Sequence, residues 1–251
     1  MIKKKLKIND SKTEFLVITS SFLNKMYDDL QLEVGTSKIS SSTKARNLGV
    51  IFDKFMNLDA HIGNICESTY FQLKNIGSIR NVLSDDACAQ LIHCLVTVRI
   101  DYCNSLLYGL SDSSLFRLQK IMNTAARILC RIPKYEHISS TLRDLHWLPM
   151  RQRITFKILI LTYQAYHNTA PPYLCDMIVP YSNARNLRSD HKLLITPCVP
   201  RPKLKTYGEK CFQYAGPEEW NNLPLEIRNS TSLPIFKCKL KTHLFQLSYP
   251  S

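Results

Sequence analysis

Proline is missing from the first 132 residues; all 12 lie at Pro133 or beyond. Glycine is scarce throughout, with seven in 251 residues, and no Gly-rich phosphate-cradling loop is present. No apolar run reaches the roughly 18 uncharged residues that a membrane-spanning helix needs, so no membrane span is expected. Met1-Ile2-Lys3-Lys4-Lys5-Leu6-Lys7 carries positive charge with no apolar segment behind it, which argues against a signal peptide. The expected location is nuclear or cytoplasmic, not secreted. The nine cysteines include no C-x-x-C, and Cys94 with Cys103 has no second pair at zinc-knuckle spacing. Reduced, mostly buried thiols are expected, and no metal site. Neither G-x-S-x-G nor H-E-x-x-H occurs, so no self-contained active site and no small-molecule substrate site is evident.

Acidic charge is also in deficit. Lys and Arg number 33 against 20 Asp and Glu, a net charge of +13. Residues 1–55 hold 10 basic and 6 acidic side chains, 56–110 hold 3 and 5, and 111–251 hold 20 and 9. The positive excess therefore belongs to the C-terminal part, as the prolines do, and a composition break falls near residue 132. Three segments are expected: 1–55, 56–132 and 133–251. Hydrophobic residues at 45% and charged residues at 21% are ordinary for a chain with a packed core. The charge bears on partners rather than fold, with nucleic acid or an anionic membrane surface the first candidates.

Short β-rich runs occupy the first segment: 13–18, 30–34 with alternating polarity, and 47–53. From residue 59 the period becomes helical. Ile62, Ile65, Cys66, Tyr70, Leu73, Ile76 and Ile79 predict a helix over about 59–82. Ser84 caps a second, running to about Leu107 with Leu91, Leu95, Val98 and Tyr102 on its apolar face. Ser111 or Ser113 starts a third, carrying Leu115, Leu118, Met122, Ala125 and Leu129, and Pro133 stops it. Beyond the break come a helical turn near 140–145 and a helix from Pro149 to about Tyr166 with Ile154, Ile158, Leu161 and Ala165 inward. A long loop spans 179–205. Pro217 and Pro234 look like helix starts, the last helix burying Phe236, Leu240, Leu244 and Leu247. The fold class expected is α+β, mainly α: a small β-hairpin remnant, then a helical bundle, then a basic helix-plus-loop region.

Tyr27-Asp28-Asp29 has the look of a two-metal polymerase box. Its entry, Ser20 to Met26, is a polar linker rather than an apolar strand, so a solvated turn is the better reading. What remains is basic and aromatic surface. Arg117, Lys120, Arg127 and Arg131 fall roughly on one side of the third helix, opposite Leu115, Leu118 and Met122, with Lys134 just beyond. Arg151, Arg153 and Lys157 form a second cluster, and Arg185, Arg188, Lys203 and Lys205 lie along a Pro-rich segment. Such clusters neutralise phosphates without reading sequence.

In order, five segments closely resemble the C-terminal portion of non-LTR (LINE) retrotransposon reverse transcriptases, of the jockey-like and chicken-repeat type. They are 6–14 (LKINDSKTE), 46–53 (RNLGVIFD), 99–107 (RIDYCNSLL), 145–149 (LHWLP) and 220–224 (WNNLP), so the likeness runs from Lys5 to Leu247. The resemblance implies a palm remnant with a primer-grip hairpin in 1–55, a thumb in 56–132, and a basic C-terminal region in 133–251. It places Lys12 near the phosphates of an incoming nucleotide and gives Leu48, Gly49 and Val50 the primer grip. The partners implied are RNA and/or DNA, held largely by the backbone, and no membrane. In the family the metal-binding aspartates precede the Lys12 segment, and Tyr27-Asp28-Asp29 follows it, so it is not that box. The chain is therefore expected to be a truncated RNA-directed DNA polymerase without catalytic residues or cofactor, since magnesium would need the missing palm aspartates. The alternative is a host-retained, non-catalytic nucleic-acid-binding or interaction module.

Overall fold

A computed structural model describes residues 9, 12–20, 30–35, 37–181, 193–196 and 208–250. The chain is mainly helical with small sheets and divides into two compact units, 1–68 and 69–251. The break expected near residue 132 falls inside the second unit.

In the first unit β1 (Phe15–Leu16) pairs in parallel with β3 (Ser37–Ser42), and β2 (Gln31–Val34) pairs antiparallel with β3. The strand over 13–18 is thus shorter than its β-rich sequence suggests. β3 went unpredicted because its Ser-rich sequence carries no apolar alternation. The single strand expected over 47–53 is instead the far half of a hairpin, β4 (Lys44–Asn47) with β5 (Val50–Asp53). Its two-residue loop, Leu48-Gly49, has positive φ at both positions (46° and 86°), as a type I′ hairpin turn requires. Glu14 reaches this hairpin, its Oε2 accepting the Arg46 N–H at 2.8 Å. Asp53 closes the exit, Oδ1 accepting from the N–H groups of Phe55 and Asn57 at 3.0 and 3.1 Å. Helix α1 (Asp59–Ser78) then begins, burying Ile62, Ile65, Leu73 and Ile76. Tyr70 and Ile79, expected on that face, are exposed.

The second unit contains the end of α1, a 3-10 turn (Arg80–Val82) and the helical stretch α2 (Asp85–Ile92) to α3 (Val98–Asp101). Ser84 caps α2, its Oγ accepting the Ala87 N–H at 3.2 Å. Between α2 and α3 the backbone widens into a π-type turn at His93–Thr97. Its extra residue per turn resets the phase of the helix. The buried face is Cys88, Ile92, Val96 and Ile100; Val98 and Tyr102, expected inside, are 61% and 49% exposed. Helix α4 (Asp112–Cys130) is capped by Ser111 and buries its apolar face as its spacing predicts. It packs against α5 (Ser139–Asp144) and α6 (Met150–Tyr166).

After the short α7 (Pro172–Cys175) come α8 (Phe212–Asn221), α9 (Leu225–Arg228) and α10 (Leu233–Ser248). Pro217 does not start a helix; it sits inside α8, which begins five residues earlier. The proline omits one backbone bond to the carbonyl of Gln213, an exposed residue, so water can take that bond. Gly216, its neighbour, lets α8 press onto α6: a Cβ there would stand 2.9 Å from Thr162 Oγ1 and 3.2 Å from Ile178. The core between α6, α8 and α10 is aromatic, with Tyr163 stacked on Phe236 (centroids 4.4 Å apart) and Trp220 fully buried. Leu247 is 63% exposed, because the buried row Phe236, Leu240, Leu244 continues at Ser248. Among the described residues no helix is long and apolar enough to cross a membrane. The eight described cysteines are free of disulfides, yet of these just Cys88 is buried, so the expectation of mostly buried thiols fails.

Candidate nucleic-acid interface

The end of α4 is the anchor of the main basic surface. Arg131 terminates the helix in the left-handed region (φ 56°), and its N–H returns to the Arg127 carbonyl. A helix end leaves carbonyls unpaired. Here buried Arg80 satisfies two of them, donating from Nε to Ile128 O at 2.9 Å and from Nη2 to Leu129 O at 2.7 Å. The same guanidinium donates to Leu83 O and pairs with Asp85, whose carboxyl it holds below the usual carboxylate range. One buried cation thus joins the 3-10 turn after α1, the start of α2 and the end of α4.

Beside this joint lies an open groove of about 850 Å³ between α1 and α4. Tyr70 and Phe116 stand on its walls with Lys120, Arg127, Arg131 and Lys134, and none of its lining residues is acidic. Phe116 is 56% exposed. The Lys120 ammonium sits 4.7 Å above the centre of its ring. Arg127 holds the chain after α4, donating to the carbonyls of Pro133 and Glu136. Among the described residues no carboxylate lies at ion-pair distance from Lys120, Arg131 or Lys134. Three of the four arginines and lysines expected on the α4 stripe therefore meet in one groove. Arg117 is exposed on the same helix, outside the groove lining.

Two of the three cations of the second cluster, Arg151 and Arg153, are held in ion pairs, while Lys157 is exposed. Arg151 pairs with Asp112 at the surface. Arg153 is held between Asp101 Oδ2, at 2.8 Å, and the Leu148 carbonyl, and its side chain is 14% exposed. Arg153 thus stands apart from the basic surface, a placement its sequence position could not reveal. In the first unit, Lys12 is exposed, its N–H bonded to Asn9 O. At the hairpin tip Leu48 is 84% exposed while Val50 is buried. Arg185, Arg188, Lys203 and Lys205 lie outside the described residues, as does Tyr27-Asp28-Asp29.

The remaining motifs are explained by packing. Asn221 matches the backbone of Ile195 twice, accepting its N–H and donating to its carbonyl, both at 2.9 Å, while Trp220 Nε1 donates to Leu193 O at 2.8 Å. His146 and Trp147 form an aromatic corner, with His146 against Phe245 and Trp147 against His93. That corner and the Asp101–Asn104 turn line one cavity of about 630 Å³. A smaller one, about 310 Å³, contains Tyr108, whose hydroxyl donates to Glu219 Oε1 at 2.8 Å. Burial pushes both groups' pKa values up, helped for Tyr108 by the Glu219 carboxylate. Among the described residues no cluster of three or more His, Cys, Asp or Glu could hold a metal ion.

No family model matches the chain, and no curated protein or solved structure matches it either. The functional reading therefore stands on the residues and the groove.

Two contributors were missed in the sequence. Phe116 lies one residue off the 115/118/122 face and was passed over, and Tyr70 was counted with the core of α1. A large aromatic just outside an apolar face, next to a cation three or four residues on, was the available signal.

Proposed function

We propose that this chain is a nucleic-acid-binding portion of a non-LTR retrotransposon reverse transcriptase, comprising late palm, thumb and basic C-terminal region, and that it does not polymerise DNA by itself. The groove between α1 and α4 carries the reading: Lys120, Arg131 and Lys134 beside exposed aromatic rings, with no acid in the lining. On this reading 56–132 is the thumb, and its cations neutralise backbone phosphates. The β4–β5 hairpin would be the primer grip, with Leu48 at its tip. The first unit supports a palm origin in a second way. Leu32 of β2, and Ile18 and Leu30 beside its short strands, are 42–56% exposed, as suits a sheet shaped to pack within a larger one. The metal-binding aspartates of such an enzyme lie before the segment matching Lys12, and phosphoryl transfer needs their ions.

Titration of the purified chain with labelled RNA and DNA at increasing salt tests the reading. Log affinity should fall linearly with log salt, with a slope of about −2 to −3 for three neutralised phosphates. Lys120→Glu with Lys134→Glu should abolish most of that slope. Absence of binding at low salt would overturn the proposal. Metal-dependent primer extension by the chain would overturn the claim that it cannot polymerise alone.

A further inference from the structure

A basic groove can hold a duplex by its phosphates or a single strand by phosphates and bases together. The two differ in what they ask of the protein. In a duplex the faces of the bases are covered by their neighbours, so the backbone is what reaches a groove of cations. An unpaired strand offers open base faces, and proteins that bind it combine a positive channel with aromatic rings on which bases stack.

The groove beside the α4 terminus has the second composition. Phe116 projects from α4 with more than half its surface open, and Tyr70 on α1 is 40% exposed in the same lining. Phe116 is not among the buried residues of the core. Cations surround both rings: Lys120 one turn along the helix, Arg131 and Lys134 at the groove's end.

From this arrangement we infer that the groove binds single-stranded nucleic acid, with an unpaired base stacked on Phe116 and adjoining phosphates on Lys120, Arg131 and Lys134. The inference rests on the nucleic-acid reading above and specifies the strand state that the groove selects. Lys120 and Phe116 act as a pair. Without ligand the ammonium stands over the ring, 4.7 Å from its centre. When a strand enters, a phosphate takes the ammonium and a base takes the ring, so a cation–π contact is exchanged for an ion pair and a stack. A duplex offers the phosphate and lacks the base, so it obtains half of the exchange. Arg127 does not join in; its bonds to Pro133 O and Glu136 O keep the segment bearing Lys134 against α4.

Fluorescence anisotropy with a 15-nucleotide homopolymer, as RNA and as DNA, against a duplex of equal length tests this in the full chain. The single strand should bind about tenfold or more tightly than the duplex, since a stacked base contributes roughly one to two decades of affinity. Phe116→Leu should weaken single-strand binding about tenfold while leaving the salt slope and duplex binding unchanged, because it removes a contact that involves no counterion. Phe116→Tyr should restore it. Phe116→Trp adds a reporter to two buried tryptophans, Trp147 and Trp220, and its emission should be quenched by the single strand and not by the duplex. The residue is exposed, so the thermal midpoints of these variants should match the parent. Equal or tighter duplex binding, or Phe116→Leu with undiminished single-strand affinity, overturns this inference and leaves the backbone-binding proposal intact. Failure to bind either form sinks both.

Discussion

Arg153 Nη1 lies 2.8 Å from Asp101 Oδ2, linking the start of α6 to the end of α3 across 52 residues of sequence. A second bond, from Arg153 Nε to Leu148 O at 2.9 Å, brings the Leu145–Pro149 segment to the same place. Two of the five motifs that carry the family resemblance therefore meet at Arg153, one through its ion pair and one through a backbone carbonyl. Its role is architectural. Asp101→Asn should destabilise the chain by about 1–3 kcal/mol, the range for losing a hydrogen bond between charged groups that are partly buried. Urea unfolding measures this, and a double-mutant cycle with Arg153→Met should show a coupling of similar size. Neither variant should alter the salt slope of nucleic-acid binding.

Leu48 occupies a position that suits asparagine better. It has φ 46°, is followed by Gly49 with φ 86°, and is 84% exposed. Asn tolerates the left-handed region and is favoured in type I′ turns, whereas leucine is strained there. Leu48→Asn should raise stability by about 0.5–1 kcal/mol. If the hairpin tip grips a primer, the same change should reduce primer-template affinity when the chain is supplied with a catalytic palm. Gain in stability with loss of affinity would separate the two roles; a loss of stability would refute the strain argument.

Glu219 makes stability pH-dependent in a defined direction. Burial raises its pKa in the folded chain, partly offset by the Tyr108 hydroxyl that donates to it. A carboxyl with a raised folded pKa favours folding most when protonated, below its unfolded value. That contribution is lost as pH rises through the folded value. Glu219→Gln keeps an acceptor for Tyr108 and removes the charge. It should be more stable than the parent at pH 7, and the difference should shrink towards zero as pH falls below the ordinary carboxylate range. Paired urea melts across pH 3.5–7.5 would reveal it; a constant difference would refute the titration.

Two imidazoles act with the opposite sign. Burial lowers the pKa of His61, with a smaller push from Arg46, and burial lowers that of His167. Each favours folding while neutral, so its contribution is present above the ordinary histidine value and lost as pH falls through the depressed one. His61→Gln and His167→Gln should each flatten the acid side of the stability profile below about pH 6.5, as a melt series read from neutral pH downwards would show.

Close approach at Gly216 should tolerate no added atom. Gly216→Ala places a Cβ 2.9 Å from Thr162 Oγ1 and 3.2 Å from Ile178, so α8 must shift from α6 or Thr162 must turn. The expected cost is about 1–3 kcal/mol. Gly216→Ala combined with Thr162→Ala should recover part of it, read as a rise in thermal midpoint.

Sequence alone determined where α2, α4 and α6 begin and where α4 ends. Ser84 and Ser111 cap α2 and α4, Pro133 follows the stop of α4, and Pro149 opens α6, because capping and proline chemistry act within one turn of chain. The apolar face of α4, and Ile154, Ile158 and Ala165 of α6, were legible for a similar reason, since a 3.6-residue period projects onto one side of a helix; Leu161, also expected inward, is half-buried, while Leu159 and Tyr163 are in the core. Only the tertiary structure decided the buried face of 85–101, because a π-type turn changes the period in a way composition does not encode. Pro217 misled as a helix start because its omitted bond falls at an exposed position. The basic surface was decided last of all. Arg153 and Lys120 look alike in the chain, yet one faces Asp101 from 52 residues away and the other shares a groove with Phe116 and no acid. A cation's availability depends on which carboxylates folding brings near it, and that is a property of three-dimensional neighbours rather than of sequence spacing.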